Sequence, residues 1–243
     1  MQKRLVRKLD LERTLLQVEP HPKPKANLEQ YTIPADLAAE ILYIATYRYD
    51  DIVEKTVVDL GCGTGRLALG AAFLGAKDVI GVDIDKVSVS VARRNAEKLD
   101  LKDRTNWIAG DLRVIVGSFD TILQNPPFGV QKRGADRNFI WRAIELGHSI
   151  YSLHKSGKRN KEFMKKLRGP RTKFTQTPSP FIRDLVEKSG GKITAIFPMQ
   201  MEIPKMFEFH KKRKHTFRVD LFVIEGKARL NLTSEESAKR NVE

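Results

Sequence analysis

The sequence has a single cysteine, Cys62, among its 243 residues. One cysteine excludes an intramolecular disulfide and any cysteine-based zinc site within the chain, and it suits the reducing cytosol. Long apolar runs are missing too. No stretch approaches the roughly 20 residues that a membrane-spanning helix needs. Met1-Gln2-Lys3-Arg4 is basic, but no apolar signal-peptide core follows it. A cytoplasmic protein with no membrane partner is expected. Acid is the third shortage: 30 Asp+Glu face 44 Lys+Arg, a formal charge of +14. A balance that basic favours anionic partners, nucleic acid first among them, although solubility or a high growth temperature leaves the same excess. No internal repeat is present.

What is there fits one sizeable core, with 41% hydrophobic and 30% charged residues. Residues 1–19 read as a basic amphipathic helix, with Leu5, Leu9, Leu11, Leu15 and Leu16 spaced for one face. Pro20, Pro22 and Pro24 end it. A second helix is predicted from Pro34 to Tyr49. Strands then alternate with helices: strands at Thr56–Leu60, Val79–Val82, Asn106–Ala109, Phe119–Leu123 and Ser149–Leu153, and helices at Leu67–Leu74, Val87–Leu99 and Phe139–Leu146. Such alternation implies a doubly wound, mostly parallel sheet with right-handed crossovers. A helix at Phe181–Lys188 precedes two strands, Lys192–Pro198 and Arg218–Glu225. The expected division is an N-terminal helical extension that also covers the ligand (1–50), an α/β domain (51–228) carrying a basic insertion (155–180), and a polar tail (229–243).

Strand Val57–Leu60 runs into Gly61-Cys62-Gly63-Thr64-Gly65, ahead of a helix. Glycines there allow a tight turn and close backbone approach to a ligand at a helix N-terminus. Asp83 ends the next strand, 22 residues after Gly61, where a carboxylate can accept from both ribose hydroxyls of a nucleoside. Three details turn this away from a nicotinamide-dinucleotide site. Arg66 stands where that fold wants its last small residue. Asp59, just before the loop, can meet the ammonium or sulfonium end of a cofactor. Asp111 ends the third strand, within reach of an adenine amino group. The pattern reads as the adenosyl site of a methyltransferase, with S-adenosylmethionine as cofactor. A nicotinamide dehydrogenase and a packing turn flanked by solvated acids are the competing readings.

Strand Phe119–Leu123 ends in Gln124-Asn125-Pro126-Pro127-Phe128-Gly129. Alone, Asn-Pro-Pro-Phe reads as a proline turn with a buried ring. After the fourth strand, beside the glycine loop, it reads as a catalytic loop for an amino nitrogen. The Asn125 side-chain carbonyl and the Pro126 backbone carbonyl can accept the two hydrogens of an exocyclic amine, orienting a weak nucleophile. Pro126 and Pro127 pre-set the turn, and Phe128 offers a face for an extruded base.

With both motifs in view, the sequence resembles the archaeal and eukaryotic N6-adenine rRNA methyltransferases of the methyltransferase-like five group. The likeness is carried by Leu28-Glu29-Gln30-Tyr31, Val57 to Gly65, Gly81 to Asp85, Arg94 to Glu97, Phe119 to Gly129, Tyr151 to Ser156, Phe209 to Lys212 and Val219 to Leu221, across residues 28–225. It implies a seven-stranded class I methyltransferase fold and an adenosine of small-subunit rRNA as substrate. It implies cofactor contacts from Gln30, Gly61, Thr64, Asp83, Asp111 and Leu112, to which the residues themselves add Asp59, Gly63, Gly65 and Asn125. Members often carry a threonine where this chain has Ile33. Eukaryotic relatives require a small zinc-binding activator subunit that pairs with a sheet edge.

Positive charge is densest at 155–173, with nine Lys/Arg against one acid, and at 205–218. Lys155, Lys158, Arg159, His210, Lys211 and Lys212 are candidate RNA contacts. The interleaved Phe163, Phe174, Phe207, Phe209 and Phe217 suit base stacking, with Phe217 and Phe222 expected in the core in any case. A solvated face with core aromatics is the bland reading, and a structural or phosphate-facing role is the expectation for His154. No metal site is expected. Methylation of a protein glutamine by the same loop is the enzymatic alternative, though such enzymes favour tyrosine after the prolines. A retired fold that only binds RNA is the other.

Overall fold

In a computed structural model, the structure describes residues 5–128, 134–156, 180–204 and 214–227. Seven strands form one sheet: β1 Thr56–Leu60, β2 Asp78–Asp83, β3 Thr105–Ala109, β4 Phe119–Gln124, β5 Gly147–Lys155, β6 Lys192–Pro204 and β7 Lys214–Glu225. Their order is β3-β2-β1-β4-β5-β7-β6, with β1 to β5 parallel and β7 antiparallel to both neighbours. The α-helices among the described residues are α1 Lys8–Leu16, α2 Ala35–Tyr47, α3 Arg66–Phe73, α4 Lys86–Lys98, α5 Ala135–Leu146 and α6 Pro180–Lys188. The expected doubly wound, mostly parallel sheet is what forms.

The sheet is covered on both faces because its central strands carry apolar residues on both. Adjacent residues of β1 divide between two cores. Val57 joins Leu11, Leu15, Leu42 and Leu69, while Val58 joins Ile122, Ile140, Ile144 and Val186. The small residues of α3 let helices approach closely: a Cβ on Gly70 would lie 2.3 Å from Leu42 and 3.2 Å from Leu15.

Two expectations need correction. The N-terminal helix is the nine residues Lys8–Leu16 rather than a helix over 1–19. Leu11 and Leu15 are fully buried against α2 and α3, whereas Leu5, Leu9 and Leu16 are more than half exposed. Five leucines do not fit one stripe at 100° per residue, and the spacing of 11 and 15 is the one that faces the core. The last two strands are also longer than expected, 13 and 12 residues. They pair antiparallel from Lys192↔Glu225 to Pro204↔Lys214, with one register shift between Ile193 and Ala195. Lys, Pro and Met residues along it hide the period-two pattern, and pairing across the sheet supplies the strand.

Register places the motifs. Leu60 pairs with Gln124 across β1 and β4, so Gly61 and Asn125 leave the sheet side by side. Asp83 pairs with Ala109 across β2 and β3, which brings Gly110 and Asp111 next to it. All five lie at the carboxyl edge, where open α/β sheets bind ligands.

Candidate active site

A cavity of about 710 Å³ opens at that edge, within the usual range for a small-molecule site. Gln30, Asp59, Gly61, Gly63, Thr64, Asp83, Asp111, Leu112, Asn125 and Pro127 line it. Gly65, Pro126 and Phe128 do not.

The floor is the glycine loop. Gly63 adopts φ 54°, and a Cβ built on it would meet nothing within 4 Å, so the loop presents bare backbone to open space. Gly65 acts from behind: at φ 91°, a Cβ there would lie 2.6 Å from the Trp107 ring. Asp83 anchors the loop, accepting the Gly63 N–H on Oδ2 and the Asp85 N–H on Oδ1, both at 2.8 Å. Burial pushes its carboxyl above the usual range. Asp59 is only 1% exposed and accepts the Ala68 N–H at 3.1 Å. Burial, reinforced by the charge of Asp83, pushes it up to about 7. A carboxylate so placed is poised to be met by a cation. Asp111 sits differently. It caps the Leu112–Val114 turn, is largely exposed and pairs with Arg113, whose Nε lies 2.8 Å away. That pairing lowers its pKa.

The roof is the segment between α1 and α2, and the sequence hid how it is fastened. Asp85, which carried no assigned role, is its anchor. Its buried carboxylate meets His21 Nε2 at 3.0 Å, Lys25 Nζ at 3.1 Å and Gln30 Nε2 at 2.7 Å. Gln30 also accepts the Lys25 N–H on Oε1, so its amide shapes the wall as well as lining it. Arg66 donates to the carbonyls of Ile33 and Val18, and Asn95 bridges Glu19 to the Thr64 carbonyl. Thr32 lines the cavity, and Ile33 is buried beside it.

At the catalytic loop, the Asn125 side-chain oxygen is buried with no hydrogen-bond partner among the described residues. Below it, Gln124 Nε2 donates to Ser152 Oγ at 2.8 Å, and Ser152 lies 2.6 Å from His154 Nε2. His154 is buried, and burial lowers it to about 3, so it is a neutral structural imidazole. The Phe128 ring meets Phe217 edge-on at 5.7 Å rather than facing the cavity. Phe217 is only half-buried, while Phe222 is in the core as expected. Lys155 is exposed, its Nζ 6.0 Å from the Phe217 ring centre. Lys158, Arg159, His210, Lys211 and Lys212 lie outside the described residues, as do Phe163, Phe174, Phe207 and Phe209.

A parallel sheet with an antiparallel β7, a glycine loop between two strand-end acids, and an orphan acceptor after β4 define a class I S-adenosylmethionine-dependent methyltransferase. Comparison with known proteins narrows this. Residues 44–125 match the family model of ribosomal protein L11 methyltransferase, the stretch from α2 to the end of β4. Whole-chain relatives lie elsewhere. The chain is 34% identical to the rRNA N(6)-adenosine-methyltransferase METTL5 of Danio rerio over 87% of this chain and 95% of that protein. It is 39% identical to the uncharacterised protein MJ0284 of Methanocaldococcus jannaschii over 91% and 95%. The solved structure of PH1948 from Pyrococcus horikoshii superposes with a TM-score of 0.76 at 33% identity, covering 91% of this chain and 98% of that one. The chain belongs to the METTL5 family, and its cofactor is S-adenosylmethionine. The site fits that group: the space over Gly63 admits it, the Asp83 carboxylate suits the ribose, and the unmet charge of Asp59 suits its cationic end. No helix among the described residues is long and apolar enough to cross a membrane.

Proposed function

We propose that the chain methylates the exocyclic N6 of an adenosine in RNA, with small-subunit rRNA as the substrate, and that Asn125 to Phe128 hold the acceptor amine. The observation that carries this is the Asn125 oxygen, a buried acceptor without a donor among the described residues. Leaving such a group unmet costs about 1–3 kcal/mol, and an amino group is the donor type that meets it. S-adenosylmethionine supplies an electrophilic methyl group. The residues supply orientation: Asn125 and the Pro126 carbonyl accept the amine hydrogens, hold its lone pair in line and favour a pyramidal nitrogen. No side-chain base is required, because the proton can leave to water after transfer. Gln30, Asp59, Gly61, Gly63, Thr64, Gly65, Asp83, Asp111, Leu112 and Asn125 are the proposed cofactor residues. Gly65 and Phe128 serve from behind the wall.

RNA as the acceptor is supported by the charge of +14 and by the relatives named for rRNA adenosine. Phe128 in place of tyrosine speaks against glutamine, and the intact cavity speaks against a retired fold. Lys155, Lys158, Arg159, His210, Lys211 and Lys212 are the proposed phosphate contacts. Cytoplasmic work suits the lone, buried Cys62. A small zinc-binding activator subunit is proposed at β3. That edge strand pairs only with β2 among the described residues, and Val114 and Val116 stand exposed beyond it.

The test is to incubate ribosomal subunits and purified rRNA with radioactive S-adenosylmethionine and digest to nucleosides. Label in N6-methyladenosine is expected. Label confined to protein would overturn the reading.

A further inference from the structure

Glu29 holds a left-handed backbone, φ 49° and ψ 42°, at a non-glycine position. Residues keep such conformations, at a cost of order 1–3 kcal/mol, where their surroundings over-determine them. Here the surroundings are the catalytic loop. The buried Glu29 carboxylate accepts the Phe128 backbone N–H at 2.7 Å across 99 residues of chain. Pro126 and Pro127 have no N–H to give, so Phe128 carries the first backbone donor after Asn125, and Glu29 occupies it. The Phe128 ring is held separately by Phe217. Gln30, the next residue, is bound to Asp85. The Glu29-Gln30 dipeptide therefore ties the turn after β4 to the acid that follows β2, across the cavity that both residues line.

We propose that Glu29 is a positioning residue for methyl transfer: its carboxylate fixes the Asn125–Phe128 turn, and with it the angle at which the Asn125 and Pro126 carbonyls meet the acceptor amine. This rests on the assignment of Asn125 to the amine. Glu29→Ala is expected to lower kcat at saturating S-adenosylmethionine and RNA by about 10- to 100-fold, the scale of loss that a small misplacement of reacting groups produces. The cofactor Kd and the KM for RNA stay close to wild type. Glu29→Gln keeps an acceptor oxygen at the same reach and restores most of kcat. Glu29→Asp, one methylene short of the amide, behaves as Ala does, and it takes the place of Ala if that variant does not fold.

Three results would overturn the role: an unchanged kcat in Glu29→Ala or Glu29→Asp; equal losses in Gln and Ala; or a loss appearing wholly as weaker cofactor binding. Asn125→Ala, assayed in parallel, separates the two assignments. If it still transfers methyl, the catalytic-loop assignment falls and this one with it. If it is dead while Glu29→Ala is active, only the role of Glu29 falls.

Discussion

Asp59 and Asp83 face one cavity from neighbouring strands, and the charge of Asp83 adds to the burial that pushes the Asp59 carboxyl up to about 7. The Ala68 N–H offsets only part of that. A cation brought to Asp59 favours its ionised form. Below pH 7 the empty site must shed a proton to bind, and above it none.

Cofactor affinity is therefore expected to tighten as pH rises from about 5.5 to 7, at up to tenfold per unit, one pKa unit being 1.36 kcal/mol, and then to level off. Calorimetry in buffers of different ionisation enthalpy reads the proton release directly. Asp59→Asn should flatten the profile, and a slope that survives in that variant would assign the titration elsewhere. The same shift makes the cofactor-free protein hold a proton that the unfolded chain has lost, so this group's contribution to stability falls as pH rises from 3.8 towards 7.

Asp85 has the opposite shift. Burial alone would raise it, but hydrogen bonds from Gln30, Lys25 and the Val87 N–H, with the charge of Lys25, outweigh that and hold it at about 2. A depressed carboxyl contributes stability above its unfolded value, and that contribution is lost as pH falls from 3.8 towards 2. Asp85→Ala removes the shared acceptor of His21, Lys25 and Gln30. Faster proteolysis within residues 18–33 and about tenfold weaker cofactor binding, equivalent to about 1.4 kcal/mol, are expected. Wild-type values for both would show that the roof is held by other contacts.

The two neighbouring leucines of α1 should behave unlike each other. Leu15 is fully buried, and Leu15→Ala should cost about 2–5 kcal/mol in urea unfolding. Leu16 is 66% exposed, and Leu16→Ala should stay within about 0.5 kcal/mol. Equal losses would place both against a partner.

RNA affinity should fall linearly in log–log terms with salt, since each phosphate contact releases condensed counterions. Charge reversal at Lys155 should lower the magnitude of the slope by about one. A flat dependence would remove the role given to the basic segments.

Much of the cavity wall was readable in advance because strand ends are local: a strand of apolar residues followed by Gly61 to Gly65, or by Asn125, announces its own edge. Asp59, Asp83 and Asn125 lie on the cavity that their positions implied. Phe128 did not follow its motif, since a ring's direction depends on what it meets, and Phe217 lies 89 residues further along the chain. Glu29 and Asp85 were within segments already quoted for their likeness to a family, yet nothing local marks the Glu29 carboxylate, and locally Asp85 is no more than the N-cap of α4; the partners that fasten the roof stand 99 and 55 to 64 residues away.

The sequence by itself determined the alternating architecture, the glycine loop, the loop after the fourth strand and the basic character, because periodicity, turn chemistry and charge are properties of short stretches. Only the tertiary structure decided which leucines of α1 are buried, that the last two strands form a long hairpin, and that the segment before α2 is fastened over the cavity by Asp85, Arg66 and Glu29. Those outcomes depend on burial and on hydrogen-bond partners far away in the chain, and such pairings exist only once the sheet has brought its carboxyl edge together.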